Sequence, residues 1–429
     1  MEDEIRAYVE ELKLAYDGAF NELDFLAPNS SPLTLRIEPQ AVCFVRFELR
    51  GAGCLHLHSL QFLGPLGEVP QIPRQAAVSA SSHYGRSARV VHERKLFQGA
   101  GAHVWGVHTK RQVDPWVQIS FQEPVDIHTI LVTNRRDHYS HRAAGLVVMV
   151  SRDSKDWTTI FDAGRRAEAF HAIANDTFAK WCRDHAGEPV AVRDFVSHVF
   201  LSEYRAAHAI FSRLKGSEGL RRALQKAVSE LVLQDRQLEW TSHGARRSFR
   251  FWSLQEKVDY VKFAAGVVDE LRGLSPDTCF GFGSVLSLVR DQDLIPHDDD
   301  LDIIMAFEHG EVGSISGALG AVREYLVSRG YKVAGNFMSH WHVSKGGVKV
   351  DVFVGLYENS TAIGWFPGAR GALDRDDLFP PQATKMLGVD CLVPRDPEKY
   401  LEVVYGKSWR TPLPGWQHDW DRSSYEDIA

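Results

Sequence analysis

The sequence predicts a multidomain chain: an all-β sandwich, then a helical connector, then an α+β domain. Three observations carry this. At 429 residues the chain is long enough for two or three domains. Its hydrophobic period changes twice, from strand-like alternation to helical spacing and then to a mixture of both. Near the end, a cluster of carboxylates sits inside an apolar, strand-like run. Hydrophobic residues make up 44% and charged residues 24%, as in globular proteins with a substantial core. A net charge of -7 and a pI near 6.3 argue against a general nucleic-acid binder. The five cysteines are scattered and form no C-x-x-C pair, so neither a disulfide framework nor a thiolate zinc site is implied. The start of the chain has no basic segment followed by an apolar one. No apolar run approaches the ~20 residues needed to cross a bilayer. The expectation is a cytoplasmic protein without a transmembrane segment.

Residues 1–32 are read as an N-terminal helix, with Ile5, Val9, Leu12, Tyr16 and Phe20 on one face and a stop at Pro28 to Pro32. Residues 33–165 form the predicted sandwich. Its strands include Phe44 to Leu49, Leu55 to Leu60, Trp116 to Phe121, Thr129 to Val132 and Leu146 to Val150. Gly51-Ala52-Gly53 reads as the turn of a hairpin joining the first two. Trp116 and Trp157 are expected in the core. His56 and His58 share a strand face, but no further zinc ligand accompanies them. Residues 166–255 read as the helical connector, with apolar periodicity over Val192 to Leu214 and Leu220 to Leu233, and a further helical period, Leu254 to Leu271, begins at its end. Residues 256–429 carry alternating strands and helices. No internal repeat or low-complexity tract is visible.

The informative stretch runs from Gly283-Ser284-Val285-Leu286-Ser287-Leu288-Val289-Arg290 to Leu294-Ile295-Pro296-His297-Asp298-Asp299-Asp300-Leu301-Asp302-Ile303-Ile304. Four carboxylates this close repel one another, and a fold that places them beside apolar residues usually needs a cation to neutralise them. An EF-hand is excluded, because its sixth and twelfth positions would be Ile303 and His309 rather than Gly and Glu. Strand alternation would turn Asp298, Asp300 and Asp302 to one side and Asp299 to the other. Asp351, alone in the apolar Val348 to Val354 run, is either a salt-bridged edge acid or a further metal ligand. Gly283-Ser284 before a helix can offer backbone N–H groups to a phosphate. Arg290 would either pair with a nucleotide phosphate or brace the acidic cluster. Together these residues suggest divalent-metal chemistry on a nucleotide phosphate.

These residues resemble the signature of the LicD family, which includes fukutin and fukutin-related protein. That pattern reads Gly-Thr-Leu-Leu-Gly-Ala-Val-Arg, then Phe-Ile-Pro-Trp, then Asp-Asp-Asp-Ile-Asp. Val350-Asp351-Val352-Phe353 is similar to the third acid of its nucleotidyltransferase-like fold, and Tyr400 to Lys407 to its Leu-x-x-x-Tyr-Gly element. The resemblance implies transfer of a phospho-alcohol, such as phosphocholine or ribitol phosphate, from a CDP-linked donor to a sugar hydroxyl, with release of CMP. It implies Mg²⁺ or Mn²⁺ held by Asp300, Asp302 and Asp351, with Asp298 joining them in catalysis. Gly283 and Ser284 would lie at the donor phosphates, and Arg290 is a further donor-binding candidate. Asp298 or His342 would take the acceptor proton. Here His297 stands where the family has Trp, Ser287 where it has the second Gly, and Asp291 where it often has His. The competing readings are a nucleotidyltransferase that releases pyrophosphate from an NTP and a non-catalytic glycan-binding protein.

The front half carries a second resemblance. Ser81-Ser82, Asp114-Pro115-Trp116-Val117-Gln118-Ile119, Asn134-Arg135 and Val150-Ser151-Arg152-Asp153-Ser154-Lys155-Asp156-Trp157 resemble the discoidin (factor 5/8 type C) domain, a jelly-roll sandwich. Such domains often bind glycans through loops at one end. The resemblance and the loop placement make Tyr84, Trp105, Arg135, His138, Tyr139 and Arg142 the glycan-binding candidates, since aromatic faces stack on sugar rings while Arg and His bond hydroxyls. The acceptor glycan and the CDP-linked donor are the expected partners.

Overall fold

The computed structural model describes residues 2–27, 30–38, 41–65, 76–84, 96–97, 106–135, 139–181, 189–214, 218–241, 243–359, 362–365, 370–412 and 422–429. The chain divides into two compact units, Met1–Ala245 and Arg246–Ala429.

The first unit begins with the helix Glu2–Ala19, whose Ile5, Val9, Leu12 and Tyr16 are buried as their spacing predicts. A 3₁₀ turn, Asn21–Leu26, continues it. Eleven strands follow: β1 (Leu33–Arg36), β2 (Ala41–Leu49), β3 (Ala52–Gly53), β4 (His56–Leu63), β5 (Ala76–Ala80), β6 (Val107–His108), β7 (Gln112–Val113), β8 (Trp116–Asp126), β9 (Thr129–Asn134), β10 (Leu146–Ser151) and β11 (Thr158–Asp162). Nine of them form a four-stranded sheet, β1-β9-β4-β6, and a five-stranded sheet, β11-β10-β2-β8-β5, and β3 pairs with β7. The sheets face each other across a shared core. Phe62 of the first meets Phe121 of the second edge to face at 5.7 Å.

Two strand-level expectations fail. β2 and β4 are not a hairpin, because each lies in a different sheet and pairs with distant strands. Gly51 turns the chain at φ 84°, and Ala52–Gly53 pairs with Gln112–Val113 instead. Local turn chemistry was therefore read correctly as a turn, but long-range pairing decided its partner. Trp116 and Trp157 are only half-buried. Along β8 the inward positions are Val117, Ile119 and Phe121, which puts Trp116 on the outer face. There the Arg46 guanidinium lies over the Trp116 ring at 4.7 Å and the Trp157 ring at 6.0 Å.

Helices Ala163–Trp181, Pro189–Phe200, Tyr204–Phe211 and Glu218–Val228 complete the first unit. The segment read as one helix from Val192 to Leu214 is broken at Ser202, whose φ is 60°. These helices share one buried apolar cluster with the N-terminal helix and both sheets. It runs from Ile5 through Leu60 and Ile119 to Phe195 and Trp240. A short pair, β12 (Glu239–Thr241) and β13 (Gly244–Arg246), closes the unit.

The second unit opens with the helix Leu254–Leu271. Ser253 and Glu256 cap it reciprocally, each side chain meeting the other's backbone N–H. Next come β14 (Thr278–Gly281), the short helix Phe282–Leu286, β15 (Asp302–Glu308), the helix Ile315–Ser328, β16 (Lys332–Ala334), β17 (His340–Lys345), β18 (Val348–Glu358) and β19 (Ala362–Trp365). A last hairpin, β20 (Gln382–Met386) and β21 (Val389–Val393), precedes the helix Pro397–Tyr405. The main sheet has the order β14-β15-β18-β17-β16, with β19 on β18. Only β15 and β18 run parallel in it, and both are apolar on both faces, as central parallel strands require. Ile303, Met305 and Phe307 pack with the helices Leu254–Leu271 and Ile315–Ser328. Ile304 and Ala306 pack on the opposite face with Phe282, Val285, Phe353 and Tyr400.

Candidate active site

The parallel register pairs Asp302 with Asp351. Each shares a strand face with Ile304 or Phe353 respectively, so both carboxylates leave the sheet on the side of the Phe282–Leu286 helix. The antiparallel register of β17 sets His342 opposite Asp351 and His340 opposite Phe353. Gly346 and Gly347, at φ 63° and 88°, make the two-residue turn between β17 and β18 that fixes this register.

The acidic approach is not a strand. β15 begins at Asp302, and Asp298 to Leu301 form a loop. The loop's carbonyls explain why: Phe249 N–H donates to Asp298 O and Arg250 N–H to Pro296 O, away from any sheet. The alternation expected of Asp298, Asp299 and Asp300 therefore does not apply. Carboxylate oxygens of all three lie within 4.8 Å of one another, and Asp299 faces Arg246 at 3.6 Å.

Around this loop the elements converge. The buried Tyr260 hydroxyl donates to Lys349 O and receives Leu301 N–H, tying the helix Leu254–Leu271 to both strands just before their carboxylates. A Cβ on Gly283 would lie 3.1 Å from Asp298 Oδ2 and 3.8 Å from Asp302 Oδ2. Glycine thus lets two carboxylates close on the backbone. Ser284 Oγ accepts Asp302 N–H at 2.7 Å, and its hydroxyl proton remains able to donate. The Arg290 guanidinium grips Asp291 through two nitrogens and donates to Trp409 O, and neither partner belongs to the acidic cluster. Lys349 Nζ sits 3.1 Å from Asp300 and 3.3 Å from Asp351, while His342 Nδ1 is 2.5 Å from Asp351 Oδ1.

Burial and like charge dominate the electrostatics of these acids. Burial, then the charge of Asp300, pushes the Asp298 carboxyl up to about 8. Burial, then Asp300, Asp351 and Asp298, holds Asp302 well above the carboxylate range. Burial also works against Asp351, but its hydrogen bond from His342 and the charge of Lys349 outweigh it and bring it below its ordinary value. The set cannot be fully ionised without added positive charge, and an all-carboxylate oxygen set suits a hard divalent cation. Lys349, between Asp300 and Asp351, is not among the residues the sequence singles out, and neither is His340. Its signal was His-x-His on the strand facing Val-x-Val-Asp351, since period two puts both imidazoles on one face.

In the first unit, Trp105 and His138 lie outside the described residues. The other candidates fall in one neighbourhood. The exposed Tyr84 ring lies 4.7 Å from His108, which is 5.4 Å from His56. His56 Nε2 contacts Tyr139 O, and Arg142 and Arg135 lie over the Tyr139 ring at 4.1 and 5.0 Å. Arg135 is itself buried.

Residues 277–396 match the family model for the LicD/FKTN/FKRP nucleotidyltransferase domain. Residues 77–191 match that of the F5/8 type C domain. Each match spans less than a third of the chain. A search of curated proteins found no match. The first match encloses β14 to β21 with every acidic residue of the site. The second begins at β5, although the sandwich begins at β1.

Proposed function

We propose that the second unit is a divalent-metal-dependent transferase that moves a phospho-alcohol from a CDP-linked donor to a sugar hydroxyl and releases CMP. The observation that supports this most is the parallel pairing of Asp302 with Asp351, with Asp298 closed against Gly283. The LicD domain match supports a glycan phosphotransferase role of this class. The cation, Mg²⁺ or Mn²⁺, would be held by Asp300, Asp302 and Asp351 and would neutralise the phosphate oxygens. Gly283 brings the backbone against the Asp298 and Asp302 carboxylates, so a cation held there would lie beside the Gly283-Ser284 turn to which the donor phosphates are assigned. The acceptor hydroxyl attacks the phosphorus distal to cytidine as CMP leaves. Asp298, beside the carboxylates that would hold the cation, takes the proton once the bound cation's charge lets its buried carboxyl ionise. Incubation with CDP-choline, CDP-ribitol and UDP-linked donors should release CMP only from a CDP donor, with Mg²⁺ or Mn²⁺ and not with chelator. Pyrophosphate released from an NTP instead would identify a nucleotidyltransferase.

The sandwich is read as the part that holds the acceptor glycan, supported by the F5/8 type C match and by Tyr139 stacked under Arg142. Arg142→Ala should weaken binding of the full chain to an immobilised acceptor glycan about tenfold, near the worth of a charge-assisted hydrogen bond. Unchanged binding would leave the sandwich a spacer.

A further inference from the structure

We propose that His340, His342 and Asp351 form a second cation position, one that takes a first-row transition-metal dication such as Mn²⁺, Co²⁺ or Zn²⁺. It rests on the transferase reading only in sharing Asp351 with the carboxylate site. The two imidazoles come from alternate positions of β17, so they project from one face. The register with β18 brings Asp351 to the same face, directly opposite His342. One ring nitrogen from each histidine and one Asp351 oxygen lie within 4.8 Å of one another.

The rings are held in place. His340 is stacked between Phe337 at 4.1 Å and Phe353 at 4.5 Å. Its Nδ1 lies 3.1 Å from the buried Ser339 hydroxyl, which leaves Nε2 as its ligand atom. Such a partner on the second ring nitrogen is the usual means of orienting a metal-binding histidine. Phe337 also meets His342 edge to face at 4.8 Å. The clamp needs a glycine: Gly335 has φ 120°, and a Cβ there would lie 2.7 Å from the Phe337 ring.

Structural packing alone would account for one histidine bonded to Asp351. It does not account for two imidazoles and a carboxylate converging while both rings remain partly open to solvent. Two nitrogens and one oxygen favour Mn²⁺, Co²⁺ or Zn²⁺ over Mg²⁺, which prefers oxygen. Three protein ligands leave positions open for water or a substrate oxygen. The second site would thus make the protein respond differently to Mg²⁺ and to transition metals, although both satisfy the carboxylates.

The test uses the full chain and Mn²⁺ alone, read by electron spin echo modulation. Wild-type protein should show nitrogen coupling from directly bound imidazole, which changes from a ¹⁴N to a ¹⁵N pattern when histidine is isotope-labelled. The double substitution His340→Gln, His342→Gln should lose that coupling and one equivalent of bound Mn²⁺. The labelled wild-type measurement needs no variant, so misfolding of the substituted chain does not decide the matter. Bound Mn²⁺ with oxygen couplings only overturns the inference. CMP release that needs a divalent cation but shows no nitrogen coupling overturns this site and leaves the transferase reading standing. Nitrogen coupling without release from any donor does the reverse.

Discussion

Asp302→Asn is expected to lower cation-dependent CMP release about 10³-fold, the rate equivalent of several kcal/mol of lost metal-centred stabilisation. The same change should leave the metal-free chain as stable as before, or more so. The reason lies in the sign of the shift. Burial and three neighbouring carboxylates raise the Asp302 carboxyl well above its ordinary 3.8. A carboxyl raised on folding favours the folded state below its unfolded pKa, and ionising it at higher pH works against folding. Asparagine removes that penalty and keeps the backbone N–H bond to Ser284. The melting temperatures of variant and wild type should therefore converge near pH 4 and separate toward neutrality, with the variant higher. Adding Mg²⁺ or Mn²⁺ should reverse the order, because only the wild type gains from binding. Full activity in the variant would remove Asp302 from the metal site. A marked loss of metal-free stability would show that the carboxylate is structural.

Trp240→Ala is expected to have the largest effect on stability, about 3–5 kcal/mol. Trp240 is 1% exposed and sits on β12. Its ring meets Phe195 edge to face at 4.8 Å and Phe211 at 5.5 Å. Its backbone is fixed at both ends, since its N–H donates to Ser229 Oγ and its carbonyl accepts from Gln225. The surrounding helices cannot close on an alanine without giving up those bonds, so a cavity should remain. A melting transition about 10 °C lower is expected for a unit of this size. Trp240→Phe, which keeps an aromatic ring, should lose roughly half as much. A shift below about 2 °C would mean that these helices do not depend on a common core.

Much of the fold class was readable because local signals agreed with the final structure. The helix over Leu254–Leu271 is announced by its apolar period. The apolar run around Asp351 is β18. What stayed hidden depended on distant partners. Nothing near Gly51 says that β2 and β4 belong to opposite sheets. Nor does any local pattern show that Phe249 and Arg250 capture the acidic loop and delay β15 until Asp302. Arg290's partner Trp409 lies more than a hundred residues downstream, beyond the reach of any local pattern. His340 was overlooked because a single histidine carries little information. Its meaning came from the strand across from it.

The Gly346–Gly347 turn gives that last relation a numerical form. His342 and Asp351 stand nine positions apart, and the two-glycine turn sets how they face each other. A one-residue shift in this pairing would carry both histidines to the opposite face of the sheet. Descent with variation should therefore leave this hairpin constant in length while its neighbours grow and shrink. A fixed spacing between the histidine pair and the acid would be the heritable trace of the centre, visible in related chains even where the flanking residues have changed.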